Sequence, residues 1–163
     1  MTTKFEVGDK APDFELQSTT GDKLRLSDQI GKGPVVLLFY PLAWSPVCTE
    51  EMCSIRDALK EFEELNASVF GIGVDSPYAQ KAWSKELGLK FPLISDFNKE
   101  VSTSYGVLHE ELAGLKGVSK RSVFILDNDG KIQYKWVSED PTRLPDIDQI
   151  KRVLAKIQKS ISS

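Results

Sequence analysis

Cys48 and Cys53 are the only two cysteines in a chain of 163 residues, and they are its candidates for nucleophilic sulfur chemistry. They lie five positions apart in Cys48-Thr49-Glu50-Glu51-Met52-Cys53. No metal or other cofactor is expected: a structural zinc site takes four cysteine or histidine ligands, and His109 is the single histidine that could add a third. A disulfide scaffold fits poorly, because such frameworks belong to short secreted chains rich in cysteine. The Cys-x-x-Cys spacing of simple dithiol exchange is absent. On spacing alone, a reactive pair competes with two plain readings, buried apolar thiols or a chance surface residue.

Position separates the two sulfurs. Val35 to Tyr40 is a continuous apolar run bounded by Pro34 and Pro41, the pattern of a central buried strand. Beyond a loop stiffened by Pro41 and Pro46, Met52, Ile55, Leu59 and Phe62 recur at helical spacing. Ser45 is placed to cap that helix and Pro46 to open it. Cys48 then falls in the first turn, where unpaired backbone N–H groups and the positive end of the helix dipole favour thiolate, the nucleophilic form. The Ser45 hydroxyl is close enough in sequence to reach the sulfur or an oxygen of its substrate. Cys53 would lie about 8–9 Å from Cys48 between α-carbons and about 140° around the axis of an intact helix. A disulfide requires roughly 7 Å or less, so joining the two means unwinding that turn.

The remaining elements supply the frame. Phe14-Glu15-Leu16 and Lys23 to Leu26 flank a turn-rich segment and read as a hairpin. Ser68 to Val74 reads as a second central strand, followed by a helix over about Pro77 to Leu87 with Ser76 as its cap. Phe91 to Ser95 reads as a short strand, and Lys99 to Tyr105 as a short helix. Asp127-Asn128-Asp129-Gly130 joins Arg121–Leu126 to Ile132–Val137 as a second hairpin. An amphipathic helix bearing Ile147, Ile150, Val153, Leu154 and Ile157 closes the chain. Strands alternating with helices predict an α/β fold, a mixed sheet with helices on both faces, in a single domain over residues 1–163.

Composition narrows the partners. Hydrophobic residues make up 40% of the chain and charged residues 28%, as in ordinary globular domains. A net charge of -3 argues against nucleic acid, whose binding depends on clustered positive charge. The longest apolar run, Pro34 to Trp44, is too short to span a bilayer, so no membrane partner is expected. Met1 to Glu6 shows no apolar leader, and a cytoplasmic location is expected. Taken singly, His109 reads as a surface side chain, and Trp44, Trp83 and Trp136 read as packing residues.

A family resemblance joins these pieces. Tyr40-Pro41-Leu42-Ala43-Trp44-Ser45-Pro46-Val47-Cys48-Thr49 resembles the active-site motif of peroxiredoxins: proline, three residues, threonine, two residues, cysteine. Val7 to Phe14, Phe91 to Asp96, Tyr105-Gly106-Val107 and Arg121 to Asp127 are similar to other family segments, so the likeness spans nearly the whole chain. The Cys48–Cys53 spacing is similar to that of the bacterioferritin-comigratory-protein or PrxQ branch. The resemblance implies a thioredoxin fold with an N-terminal β-hairpin extension, and reduction of hydrogen peroxide and organic hydroperoxides. Cys48 matches the peroxidatic cysteine and Cys53 the resolving cysteine that forms a disulfide with it. Pro41 matches the proline that shields the sulfur, and Arg121 the arginine that holds thiolate and peroxide. Glu51 matches a glutamate of the same network. Ser45 replaces the motif threonine, keeping the hydroxyl and losing a methyl. The implied partners are a hydroperoxide and a thioredoxin-like reductant, and the family includes monomers and homodimers.

Without the resemblance, Arg121 would read as a strand-edge surface residue, Glu51 as a solvated helix charge and Pro41 as a strand terminator. A general thiol-disulfide oxidoreductase or redox-sensing adaptor on the same fold is the competing function. A binding module with an unreactive Cys48 is a third.

Overall fold

The computed structural model describes residues 6–112 and 114–162. The start of the chain, read above as leaderless, lies outside the described residues apart from Glu6. Strands β1 (Glu15–Gln17) and β2 (Lys23–Arg25) form the expected antiparallel hairpin, and Leu26 opens the short helix α1 (Leu26–Gln29). Then follow β3 (Val35–Phe39), α2 (Pro46–Glu64), β4 (Ser68–Gly73), α3 (Pro77–Leu87), β5 (Leu93–Ser95) and α4 (Glu100–Ser104). The chain closes with β6 (Ser122–Leu126), β7 (Ile132–Val137) and α5 (Ile147–Ser162).

The five-stranded sheet runs β5-β4-β3-β6-β7. β3, β4 and β5 are parallel, while β6 and β7 are antiparallel additions on the other side of β3. All five residues of β3 are buried, because helices cover both faces of a central strand. Alternation along β3 divides the core. Val36 and Leu38 pack with Met52, Ile55, Phe62, Trp83, Ile150 and Leu154 from α2, α3 and α5. Val35, Leu37 and Phe39 pack with Leu26, Val101, Tyr105 and Phe124 on the opposite face. This is the mixed sheet with helices on both sides that the sequence predicts.

The helix boundaries follow local chemistry. Pro77 occupies the first turn of α3, the Ser76 hydroxyl accepts from Ala79 N–H, and Gly88 ends the helix in the left-handed conformation. In β4, a Cβ on Gly73 would stand 2.5 Å from the Tyr40 ring, so glycine is what lets that ring lie against the strand. Tyr40 stacks at a tilt on Trp83 (centroids 5.2 Å apart) and accepts a hydrogen bond from Gln80 Nε2. The junction between β3 and α2 is thereby fixed against the sheet. Before α4, the fully buried Asp96 accepts from Val101 and Ser102 N–H, and the Ser102 and Ser119 hydroxyls lie 2.6 Å apart. Among the described residues, no helix is long and apolar enough to cross a membrane.

Candidate active site

The segment Tyr40–Ser45 leaves the buried end of β3 and delivers the chain to α2. Pro41 is buried directly after the strand. Ala43 N–H donates to Asp75 Oδ2 at 2.7 Å, tying this loop to the end of β4. Burial raises the Asp75 carboxyl above the usual range, and the Ala43 bond partly opposes that. Trp44 has φ +72, a left-handed conformation that costs a non-glycine residue about 1 kcal/mol or more. Its side chain is 54% exposed, so the packing role expected for Trp44 is corrected: only Trp83 is fully buried, and Trp136 is intermediate.

Ser45 is the N-cap residue of α2 by backbone geometry, but its side chain makes no cap bond. Its hydroxyl donates backward to the Leu42 carbonyl at 3.1 Å, closing the turn that contains Trp44. The expectation of a capping hydroxyl is therefore corrected. The left-handed residue between them turns the loop so that Leu42, rather than the helix, is the nearer acceptor. Pro46 lies at the start of the helix, as expected.

Cys48 is wholly buried in that first turn, within the core of the α2 face. Arg121 comes from the residue before β6, on the strand beside β3, and reaches the same point. Its Nη2 donates to Cys48 Sγ at 3.2 Å, and its Nη1 donates to Glu51 Oε1 at 2.5 Å. Glu51 lies three residues after Cys48, so one helical turn presents both to a single guanidinium. The Arg121 and Glu51 side chains are each only 1% exposed. A buried ion pair of this kind is held by geometry and costs desolvation, so it signals a requirement for its position more than a gain in stability. Burial pushes the Glu51 carboxyl up to about 7, and the adjacent guanidinium offsets only part of that. Glu51 Oε2 is buried without a hydrogen-bond partner among the described residues.

The remaining hold on Arg121 is a backbone group. Its Nε and Nη2 both donate to the Pro141 carbonyl, at 3.1 and 2.8 Å. Nothing in the sequence pointed to Pro141, since a main-chain acceptor leaves no side-chain signature.

Cys53 lies further along the same unbroken helix, is half-buried, and is free, as is Cys48. Helix geometry thus applies as expected, and the two sulfurs are on different faces of α2. His109 is corrected from the surface side chain expected: it is 6% exposed, because its segment pairs with Val118 and carries it inward. Burial and the nearby Lys120 lower its pKa, and its Nε2 has no hydrogen-bond partner among the described residues.

The profile of the AhpC/TSA family matches residues 7–135. The chain is 40% identical over 166 residues to a chloroplastic 2-cysteine peroxiredoxin of Chattonella marina var. antiqua, covering 96% of this chain and 82% of that protein. It is 42% identical over 142 residues to a chloroplastic 2-Cys peroxiredoxin of Spinacia oleracea, covering 81% of this chain. There it spans only about half of the relative's length, 52%. Among solved structures, peroxidoxin BcpB from Mycobacterium tuberculosis superposes with a TM-score of 0.81 at 37% identity, covering 96% of this chain and 98% of that one.

Proposed function

Because this chain belongs to the AhpC/TSA family of peroxiredoxins, which are thiol-dependent peroxidases, we propose that Cys48 is its peroxidatic sulfur and Cys53 its resolving thiol. The observation that carries this reading is the Arg121 Nη2 donor, 3.2 Å from a buried sulfur in the first turn of a helix. A cation and a helix N-terminus both stabilise negative charge on that sulfur.

The Cys48 thiolate attacks the terminal oxygen of a hydroperoxide, forming an S–O bond as the O–O bond breaks. The leaving oxygen takes up the proton the thiol released and departs as water or an alcohol. Arg121 stabilises charge as it moves from sulfur to oxygen, and Glu51 fixes the guanidinium plane. Pro41 screens the sulfur from bulk water. Ser45 supports the reaction by shaping the loop rather than by touching the sulfur, since its hydroxyl is turned to Leu42.

The product sulfenic acid condenses with the Cys53 thiol, losing water and forming a disulfide. The first turns of α2 must unwind for this, because five helical residues hold the α-carbons about 8–9 Å apart. A thioredoxin-like dithiol then restores both thiols by exchange. Hydrogen peroxide and organic hydroperoxides are the proposed substrates. A cytoplasmic setting is the proposed one, and the chloroplastic relatives mark the compartment as separable from the family.

The test is intact mass after one equivalent of hydrogen peroxide on the reduced protein. Wild type should lose two hydrogens, Cys53→Ser should gain one oxygen, and Cys48→Ser should stay unchanged while leaving peroxide unconsumed. Peroxide consumption by Cys48→Ser at the wild-type rate sinks the assignment. Rapid reduction of protein disulfides with no preference for peroxide would favour the general oxidoreductase.

A further inference from the structure

The loop between β7 and α5 reaches back over the site, and its contacts go beyond what a connection requires. We propose that residues 138–143 form a strap that sets the Arg121 guanidinium against Cys48, with the Lys120–Glu139 ion pair as its clasp. The proposal rests on the assignment of Cys48 and Arg121 above and makes Lys120 and Glu139 positioning residues.

Three features support it. The first is how the guanidinium is held. A guanidinium is planar and rigid, so fixing its nitrogens at two separated points fixes the direction of the rest. Pro141 takes Nε and Nη2, Glu51 takes Nη1, and the Cys48 bond follows from that plane. Glu51 and Cys48 both sit on the opening turns of α2, so both leave together when those turns unwind. Pro141 is the hold that does not depend on α2. It is also neutral, so this hold takes none of the Arg121 charge away from the reacting atoms.

The second feature is the loop's own shape. Ser138 N–H donates to the Arg121 carbonyl at 3.0 Å, so one residue is gripped by both its backbone and its side chain. The Ser138 hydroxyl accepts from Asp140 N–H, and Asp140 Oδ1 accepts from both the N–H and the hydroxyl of Thr142. The last three bonds are internal to the loop and define its form, while the Ser138 bond joins its start to Arg121.

The third is the fastening. Lys120, the residue before Arg121, reaches Glu139 Oε1 with its Nζ at 2.7 Å. The Lys120 side chain is only 10% exposed, whereas Glu139 is 73% exposed. An ordinary surface pair contributes little, but here a mostly buried ammonium has a carboxylate on the strap as its partner. Opening the strap would leave that ammonium uncompensated.

The test is single-turnover oxidation of the reduced full-length protein by hydrogen peroxide. Glu139→Gln should lower the second-order rate constant about three- to tenfold, the scale of losing one partly screened charge pair. Lys120→Met should do the same, while Lys120→Arg, which keeps the cation, should stay within about twofold of wild type. The wild-type rate should fall between about 0.05 and 0.5 M salt as the clasp is screened, and the Glu139→Gln rate should not. Thr142→Ala should slow oxidation without changing the salt response. Glu61→Gln, which removes the Lys151 partner on a distant surface, should match wild type. A Glu139→Gln protein with wild-type rate and salt response, beside an active wild type, overturns the strap alone. A wild type that leaves peroxide untouched overturns the Cys48 assignment and the strap with it.

Discussion

The Cys48–Glu51–Arg121 cluster and the Asp96–Ser102–Ser119 cluster are both polar and both buried, on opposite faces of one sheet. They are satisfied in different ways. Asp96 takes backbone N–H groups five and six residues on, so its carboxylate does the work of a cap for a short helix. The first cluster gathers one turn of α2, the residue before β6 and a loop carbonyl, and it leaves Glu51 Oε2 over. A carboxylate closed by its own neighbours, as Asp96 is, builds structure. Polar groups brought from distant segments with capacity left unused are arranged for something else to enter.

That contrast can be broken most directly at Arg121. Arg121→Met should slow Cys48 oxidation on the order of a hundredfold, as expected for loss of a charge-stabilising donor, with a smaller effect on thermal stability. An Arg121→Met protein that loses much stability yet is oxidised at the wild-type rate would erase the distinction. Asp96→Ala should do the reverse. It should destabilise the fold by ~2 kcal/mol in denaturant titration, since two buried N–H groups lose their acceptor, while the folded fraction oxidises at the wild-type rate.

The smallest effect sharpens the comparison through pH. Burial raises the folded-state pKa of Glu51 from 4.5 to about 7, so the folded protein keeps a proton that the unfolded chain has released. Stability from this group is present at low pH and falls as pH rises from about 4.5 to about 7. The oxidation rate should move the other way, because only the ionised carboxylate grips Arg121 as a partner in charge. Glu51→Gln should flatten both limbs, with a rate change within about tenfold, measured by melts and single-turnover rates across that range.

The elements were largely legible because their signals are local. The apolar run of β3, the three-and-four spacing on α2 and the Ser76–Pro77 start of α3 each carry their cause within a few residues. The site was legible only in part. Cys48 could be placed from its helix position, but Arg121 and Glu51 looked like ordinary surface charges until the family motif joined them. Each is buried by the other across 70 positions of sequence, and no local pattern encodes that. Ser45 was right as a helix boundary and wrong as a cap, because the left-handed Trp44 redirects its hydroxyl. His109 was misread because the backbone pairing of its segment with Val118, nine residues on, leaves no signature in residue type.

The length of α2 has a consequence of its own. It runs from Pro46 to Glu64, and both sulfurs lie in its leading half. If that half melts to let them meet, residues 54–64 still keep Ile55, Ala58 and Phe62 seated in the interior. What remains is about as long as a typical helix in a globular protein. In the proposed cycle, the protein comes apart at one end of a single rod and uses the other end as the template on which it winds back.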